Sequence, residues 1–599
     1  MGKYLSYILL VIIVIAVLAL VIFFRRKNEH LRLINNIKEK WGRNPLRDNK
    51  SNISNNVHFY YSNILSKDKQ KQAFYIDDIT WNDLDMNNVF QRINNTCSTV
   101  GEEYLYYLLR TPVFDSSVLK EREKLISFFQ SNRKERMDLQ VLLSKLGKTK
   151  NIDVSSYFIN DVNDRSISNI NYKLLALGLL LSPLLLLLNP SLGIFAIIGL
   201  LITNSTLYYK KKYEIEAHLE AFNYIVSLVD CADKISNLNI KEISKYRESL
   251  KSSLKKLKGI ISKSFLVLYR TDDVLLEYVK VVFLGEIIAY QSMFKLILKY
   301  KEDLMDIFNI IGLLDSLISV ASFRASLEYY TRPELIELGA NEVSSEKSSE
   351  DSIEESGKEL SEKPCNEPTI DTKNQNLNLK IHFEDTYHPL LKDPVANSLQ
   401  INKSILITGS NASGKSTFLK TVALNAIFAQ TINTCLAKRY VSNYFAVYTS
   451  MALRDNLKSG ESYYIAEIKS LKRIIDSLNS NIPCLCLIDE VLRGTNTIER
   501  IAASSQLLYY LSRENCITVA ATHDLELSII LKNYYDNYHF QEYVTDNDIV
   551  FDYKIYPDRS RSRNAIKLLK LMGYKDDIVE DSEARAQEFI NEGKWPVIE

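Results

Sequence analysis

Hydrophobic positions fall into three regimes along this chain, and each regime predicts a different kind of element. From Leu5 to Phe24 twenty positions are apolar or small, interrupted only by Ser6 and Tyr7. About 20 helical residues, rising about 1.5 Å each, cross a hydrocarbon layer of roughly 30 Å, so residues 5–24 are predicted to span a membrane. A cleaved signal peptide is the competing reading. Its apolar stretch is normally shorter, and no small-residue cleavage site precedes Arg25, Arg26 and Lys27. That basic cluster, against Lys3 on the other flank, places the rest of the chain in the cytoplasm. A second apolar stretch, Leu174 to Tyr208, is interrupted by Asn189-Pro190-Ser191-Leu192-Gly193, where Pro190 cannot continue a helix. Two short helices back to back fit it. With Lys173 before the pair and Lys210, Lys211 and Lys212 after it, residues 174–208 are predicted to form a membrane hairpin. The competing reading is a pair of buried helices in a soluble core.

In the second regime apolar positions recur at helical spacing. Val89, Ile93, Leu105, Leu108 and Leu109 mark one block, ended at Thr111-Pro112, and Leu250, Leu254, Leu257 and Ile261 belong to long amphipathic helices that stop near Arg332-Pro333. The third regime begins at Leu379, where short β-like runs alternate with helices: Ile405–Ile407, Tyr444–Val447, Cys484–Ile488 and Ile517–Ala520. Such alternation predicts a mostly parallel sheet flanked by helices. Between Asn341 and Glu367 lie nine acidic residues, three lysines and seven serines, with too little apolar surface to offset ordering entropy. The resulting division is an anchor (1–24), a polar tether (25–72), a first helical core segment (73–172), the apolar hairpin (173–208), lever helices (209–336), a disordered acidic insert (337–376) and an α/β region (377–599).

Composition changes this picture little. A chain of 599 residues predicts several structural units, and 46% hydrophobic with 25% charged residues excludes a wholly disordered protein. Eighteen glycines exclude a collagen-like fibre. Seven cysteines without a Cys-x-x-Cys spacing suggest neither a disulfide framework nor a zinc site. The charge sum of 74 basic minus 73 acidic residues is +1, so a polyanionic partner must be held by local patches. The best such patch is Lys245, Arg247, Lys251, Lys255, Lys256, Lys258 and Lys263, opposed locally by Glu248 alone. Lys251, Lys255 and Lys258 share one helix face and are candidates for gripping double-stranded or branched DNA. A solvated helix face, or one lying on anionic headgroups, is the alternative.

The sharpest chemical signal is Gly409-Ser410-Asn411-Ala412-Ser413-Gly414-Lys415-Ser416-Thr417, which follows a strand-like run and opens a helix-like one. Glycines let backbone N–H groups close around phosphate and the helix start adds its positive dipole. Lys415 is then placed to reach the outer phosphates, and the Ser416 hydroxyl to ligate Mg²⁺. Asp489 and Glu490 follow the apolar run 484–488, at the strand end where α/β sheets place ligands. There Asp489 is expected to hold Mg²⁺ and Glu490 to activate the attacking water. His523, just past another buried run, is expected to contact a γ-phosphate oxygen. ATP and Mg²⁺ are thus the expected substrate and cofactor.

These motifs, with Arg493-Gly494-Thr495-Asn496-Thr497 and Thr522-His523, resemble in order and spacing those of MutS-type ATPases, the mismatch-repair branch of the ABC ATPase group. Asp455 to Glu467 is similar to that family's signature segment, which implies that Ser462 reaches the nucleotide of the opposite subunit. Asp77 to Leu84, Thr96 to Gly101 and Leu108 to Pro112 resemble the start of the family's core domain. Asp315 to Ala321 resembles the end of its levers, and His388-Pro389 the entry to its ATPase. The resemblance covers roughly residues 73–150 and 270–585. It implies a multidomain fold, an α-helical core and lever domain plus an α/β P-loop NTPase of ABC type, to which the hydropathy adds the two membrane elements. It further implies a homodimer through carboxyl-terminal helices around residues 560–590. Departures accompany it. The anchor and tether stand where a mismatch-reading module is usual, Pro394 where relatives place an adenine-stacking aromatic, and Leu492 in place of a glycine. The expected function is a membrane-anchored ATPase whose composite sites drive levers around DNA. The alternatives are a membrane ABC-type machine acting on a lipid or protein, and an ATP-binding scaffold without turnover.

Overall fold

The computed structural model describes residues 2–45, 57–67, 74–149, 152–159, 171–268, 274–337, 379–451, 463–478, 481–544, 549–560, 565–595 and 597–598. The expected acidic insert and Ser462 lie outside these residues, as does the side chain of Lys258. The chain forms two compact units: residues 1–73, 90–110 and 120–327 in the first, and 74–89, 111–119 and 328–599 in the second.

The first unit is helical. Its helix Lys301–Ala325 has the length and apolarity of a membrane span, yet 78% of its apolar 18-residue stretch is buried inside the protein. Polar groups seat it there. Asp315 accepts from the N–H groups of Cys97 (3.0 Å) and Ser98 (2.9 Å) and from the Ser98 hydroxyl (2.6 Å), tying it to the start of helix Thr99–Arg110. The Ser319 hydroxyl accepts from Asn95 N–H at 2.7 Å and donates to Ile93 O at 2.8 Å. The segment Pro190–Tyr213 is equally long and apolar, with only 17% of its apolar 18-residue stretch buried. It opens a helix whose first turn is capped by the Asn189 side chain, with Pro190 at the first position. That helix corrects one expectation: it is not a short arm but runs 47 residues to Ser236, because no breaker follows Gly199 and its distal half buries Phe222, Ile225, Leu228 and Ile235. The shorter apolar helix Tyr172–Leu188 packs beside it.

The tether is also corrected. Residues 25–40 continue the helix Gly2–Lys40, and Tyr60, on helix Phe59–Lys67, is buried and donates to Asn309 Oδ1 at 2.6 Å. The basic patch on helix Ser244–Leu268 is less bare than its sequence suggests. Lys251 and Lys255 are exposed, but Lys245 pairs with Glu121 (3.0 Å) and Lys256 with Asp303 (2.7 Å), two acids remote in sequence.

The second unit contains two sheets. Its strands are β1 (Glu334–Ile336), β2 (Ile381–Thr386), β3 (Asn397–Ile401), β4 (Ile405–Thr408), β5 (Arg439–Asn443), β6 (Ala446–Ser450), β7 (Cys484–Asp489), β8 (Cys516–Thr522), β9 (Asp536–Val544) and β10 (Ile549–Pro557). The expected sheet has the order β10-β9-β4-β8-β7-β6, parallel except for β10. All positions of β4 and β8 are buried, as befits parallel strands covered on both faces. A second sheet, β1-β5-β2-β3, was not expected from the pattern. Residues 74–89, read from sequence as part of the helical core, belong to this unit. The Asp83 carboxylate accepts from the Thr449 hydroxyl (2.7 Å) and Met451 N–H (3.0 Å), and Asp77 pairs with Arg473.

Candidate functional site

The site is built at the carboxyl edge of the larger sheet, and strand order explains why. β8 lies between β4 and β7, with Thr408 beside Thr522 and Asp489 beside Ala521. Three loops separated widely in sequence therefore leave the sheet side by side: the glycine loop after β4, Asp489-Glu490 at the end of β7, and His523 after β8.

The glycine loop runs from Gly409 to Gly414 and opens the helix Lys415–Thr431. Gly409 has φ 146° and Gly414 has φ 108°. A Cβ at Gly409 would stand 2.8 Å from Phe540 O, so any side chain would displace the loop. Lys415 is buried and folds back, its Nζ donating to Gly409 O and Ser410 O, both at 2.8 Å. Burial lowers its pKa, opposed by the charges of Asp489 and Glu490. Ser410 Oγ donates to Glu542 Oε2 at 2.8 Å. Asp489 accepts a hydrogen bond from Ser416, while its Oδ1 is buried without a partner. Burial foremost, with Glu490 adding, raises Asp489 above the usual carboxylate range. The Ser413 hydroxyl is likewise buried and unpartnered. A divalent cation held by Asp489 and Ser416 would fit this donor set: a buried, half-satisfied carboxylate beside a hydroxyl.

Glu490 takes the left-handed conformation, φ 58°, with its N–H bonded to Ala521 O at 2.9 Å. His523 Nε2 lies 2.8 Å from Glu490 Oε1, and Arg493 Nε pairs with Oε2. The hydrogen bond from His523, aided by the charges of His523, Arg493 and Lys415, holds Glu490 below the usual carboxylate range. With Nε2 donating to Glu490, the Lys415 Nζ 3.5 Å away is a neighbouring charge to His523 and not its donor. Lys415, Asp489, Glu490 and His523 thus share one site, with Ser416 beside them.

A cavity of about 480 Å³ extends from the loop, lined by Asn411 to Phe418, Glu490, His388, Leu391, Val395, Phe540 and Tyr553 among others. Phe540 and Tyr553 come from the hairpin β9–β10, and sequence reading named neither. Tyr553 is 44% exposed, with its ring 3.3 Å from where a Gly414 Cβ would be. Pro394 is flanked by lining residues without being one. His388 is buried with Nε2 unpartnered, and burial lowers its pKa from 6.5 to about 4, so it enters the cavity as a neutral ring.

The profile of MutS domain V matches residues 405–590. That region of the chain is therefore similar to MutS domain V. The matched region includes β4, the glycine loop, Asp489-Glu490 and His523. The chain is 31% identical to the DNA mismatch repair protein MutS of Clostridium kluyveri over 232 residues, covering 36% of this chain and 26% of that protein. It is 28% identical over 202 residues to the MutS of Thermus thermophilus, covering 33% of this chain and 25% of that one. It is 32% identical over 215 residues to the human MutS protein homolog 4, covering 33% of this chain and 23% of that one. The chain spans about a quarter of the length of these curated relatives. The MutS domain V match lies within the second unit.

Proposed function

We propose that this chain is a membrane-anchored ATPase of MutS type, working as a homodimer in which each site is completed by Ser462 of the opposite copy. The observation that carries the reading is the convergence of Lys415, Asp489, Glu490 and His523 on one sheet edge beside a 480 Å³ cavity. Mg²⁺, when bound, neutralises phosphate charge and polarises the bond to be broken. The chain's own residues do the rest. Backbone N–H groups of the glycine loop surround phosphate oxygens, and Lys415 exchanges its two carbonyl partners for them. Asp489 and Ser416 hold the cation. Glu490, kept anionic by His523, accepts the proton of the attacking water. Tyr553 and Leu391 flank the remaining cavity, where the base rests.

The membrane reading rests on exposed apolar surface. Leu187 and Leu188 are each 84% exposed and Phe195 75%, in a hairpin followed by Lys210, Lys211 and Lys212, and Phe23 and Phe24 are exposed just before Arg25. Alkaline carbonate washing is expected to leave the full-length protein in the membrane pellet; quantitative release would contradict the anchor.

DNA is the proposed partner, held by Lys251 and Lys255, with Lys258 on the same face. The pairing of Lys245 and Lys256 with acids favours a second reading, a membrane ATPase acting on a protein or lipid. Retention of double-stranded and branched DNA, titrated across salt with and without ATP, separates them. A steep inverse dependence on salt is expected, and flat, weak retention would favour the second reading.

A further inference from the structure

Glu467 lies on the helix Tyr463–Ser477 with only 3% of its surface exposed. Its partners are amides of one short loop. The N–H of Arg493 donates to Oε1 at 3.2 Å; burial raises the carboxyl above its usual range, and the N–H groups of Arg493, Leu492 and Gly494 oppose that rise. Oε2 is buried and unmet by any side chain among the described residues. Successive amides turned toward one carboxylate make an anion nest, here filled from within the protein.

The loop it holds carries the proposed catalytic base. Between β7 and the helix Thr497–Leu511, Glu490 and Leu492 both adopt left-handed backbone, φ 58° and 56°. Non-glycine residues occupy that region only where surrounding contacts over-determine it. Glu467 supplies one such contact and Tyr464 another, its Cβ 3.0 Å from where a Gly494 Cβ would sit. Arg493 joins the two ends of the arrangement: its amide is bound by Glu467, and its guanidinium pairs with Glu490.

We propose that Glu467 is a positioning residue for ATP hydrolysis: it fixes the loop 490–494 so that Glu490 and Arg493 face the site, and it ties that loop to the helix that follows Ser462 in sequence. The proposal rests on the ATPase reading above. A partner acting on the start of that helix would, through Glu467, set the aim of Glu490, so nucleotide binding and hydrolysis become separable steps. Glu467→Gln keeps the shape and one acceptor oxygen but removes the negative charge that the loop N–H groups face.

The test uses the full-length protein in detergent, as wild type, Glu467→Gln, Glu467→Asp, Glu490→Gln and the Glu467→Gln/Glu490→Gln pair. Mg·ATP affinity is read with a fluorescent nucleotide and hydrolysis from single turnovers. Glu467→Gln is expected to slow hydrolysis about tenfold or more with affinity within about threefold, because small misplacement of a catalytic group is costly. Glu467→Asp, which retains the carboxylate, recovers part of the rate, and the pair is no slower than Glu490→Gln alone. Hydrolysis by Glu467→Gln within about twofold of wild type would overturn the proposal, as would rate and affinity falling together with the melting temperature in both Glu467 variants. An independent, multiplicative loss in the pair would also overturn it. Wild-type protein that binds nucleotide without hydrolysing it would instead defeat the ATPase reading, and this proposal with it.

Discussion

Glu490→Gln is expected to slow ATP hydrolysis by on the order of 100-fold or more while leaving nucleotide affinity close to that of the wild type. The substitution preserves shape, so the loop after β7 and its left-handed turn survive. What is lost is a charged proton acceptor. Glu490 is held below the usual carboxylate range chiefly by the hydrogen bond from His523, which keeps it an acceptor-only group at neutral pH. An amide at this position cannot take a proton from water. Rapid quench of a single turnover checks this, and a rate within about threefold of wild type would remove Glu490 from the chemistry. The pH profile carries a second expectation. Because Glu490 is anionic well below neutrality, activity should not fall through protonation of this group between pH 8 and the ordinary carboxylate range; loss on the acid side should set in at or below that range.

Lys415→Ala is expected to weaken Mg·ATP binding about 10- to 150-fold, the loss that accompanies removal of a hydrogen-bonding charge. The side chain is buried and its Nζ already rests on the carbonyls of Gly409 and Ser410 at 2.8 Å. It is therefore held within the loop before any phosphate arrives, so little ordering accompanies binding. Removing it also leaves those two carbonyls unpaired, and the variant's melting temperature must be compared alongside affinity. Equal affinity in wild type and variant, with both folded, would show that nucleotide binds elsewhere or not at all.

Much of the site was legible because its parts are local. An apolar run, a glycine loop and a helix start lie within residues 405–431, and each can be read from its own residues. Asp489 and Glu490 could be placed at a strand end, but their adjacency to the loop depends on β8 separating β4 from β7, an order no local pattern encodes. Phe540 and Tyr553 were missed for the same reason: a hairpin more than a hundred residues downstream folds back onto Gly414. Glu467 was visible only as the end of the signature-like segment from Asp455, since its contacts come from amides near residue 493.

The two long apolar helices show the limit of composition. Pro190–Tyr213 and Lys301–Ala325 have similar length and apolarity and opposite burial. The difference is made by Asp315 and Ser319, which seat the second helix through bonds to residues more than two hundred positions away. The basic patch erred in the other direction, because Glu121 and Asp303 reach it only in the folded unit. The β1-β5-β2-β3 sheet was unreadable because β2, carrying His382, Glu384 and Asp385, does not present an apolar run.

Every proposed step requires the second unit to accept Mg·ATP. Calorimetric titration of the full-length wild-type protein with Mg²⁺ and a non-hydrolysable ATP analogue measures that directly. Saturable binding of one nucleotide per chain, lost or strongly weakened in Lys415→Ala, is the predicted result; a folded protein that gives no binding signal at millimolar nucleotide would contradict it.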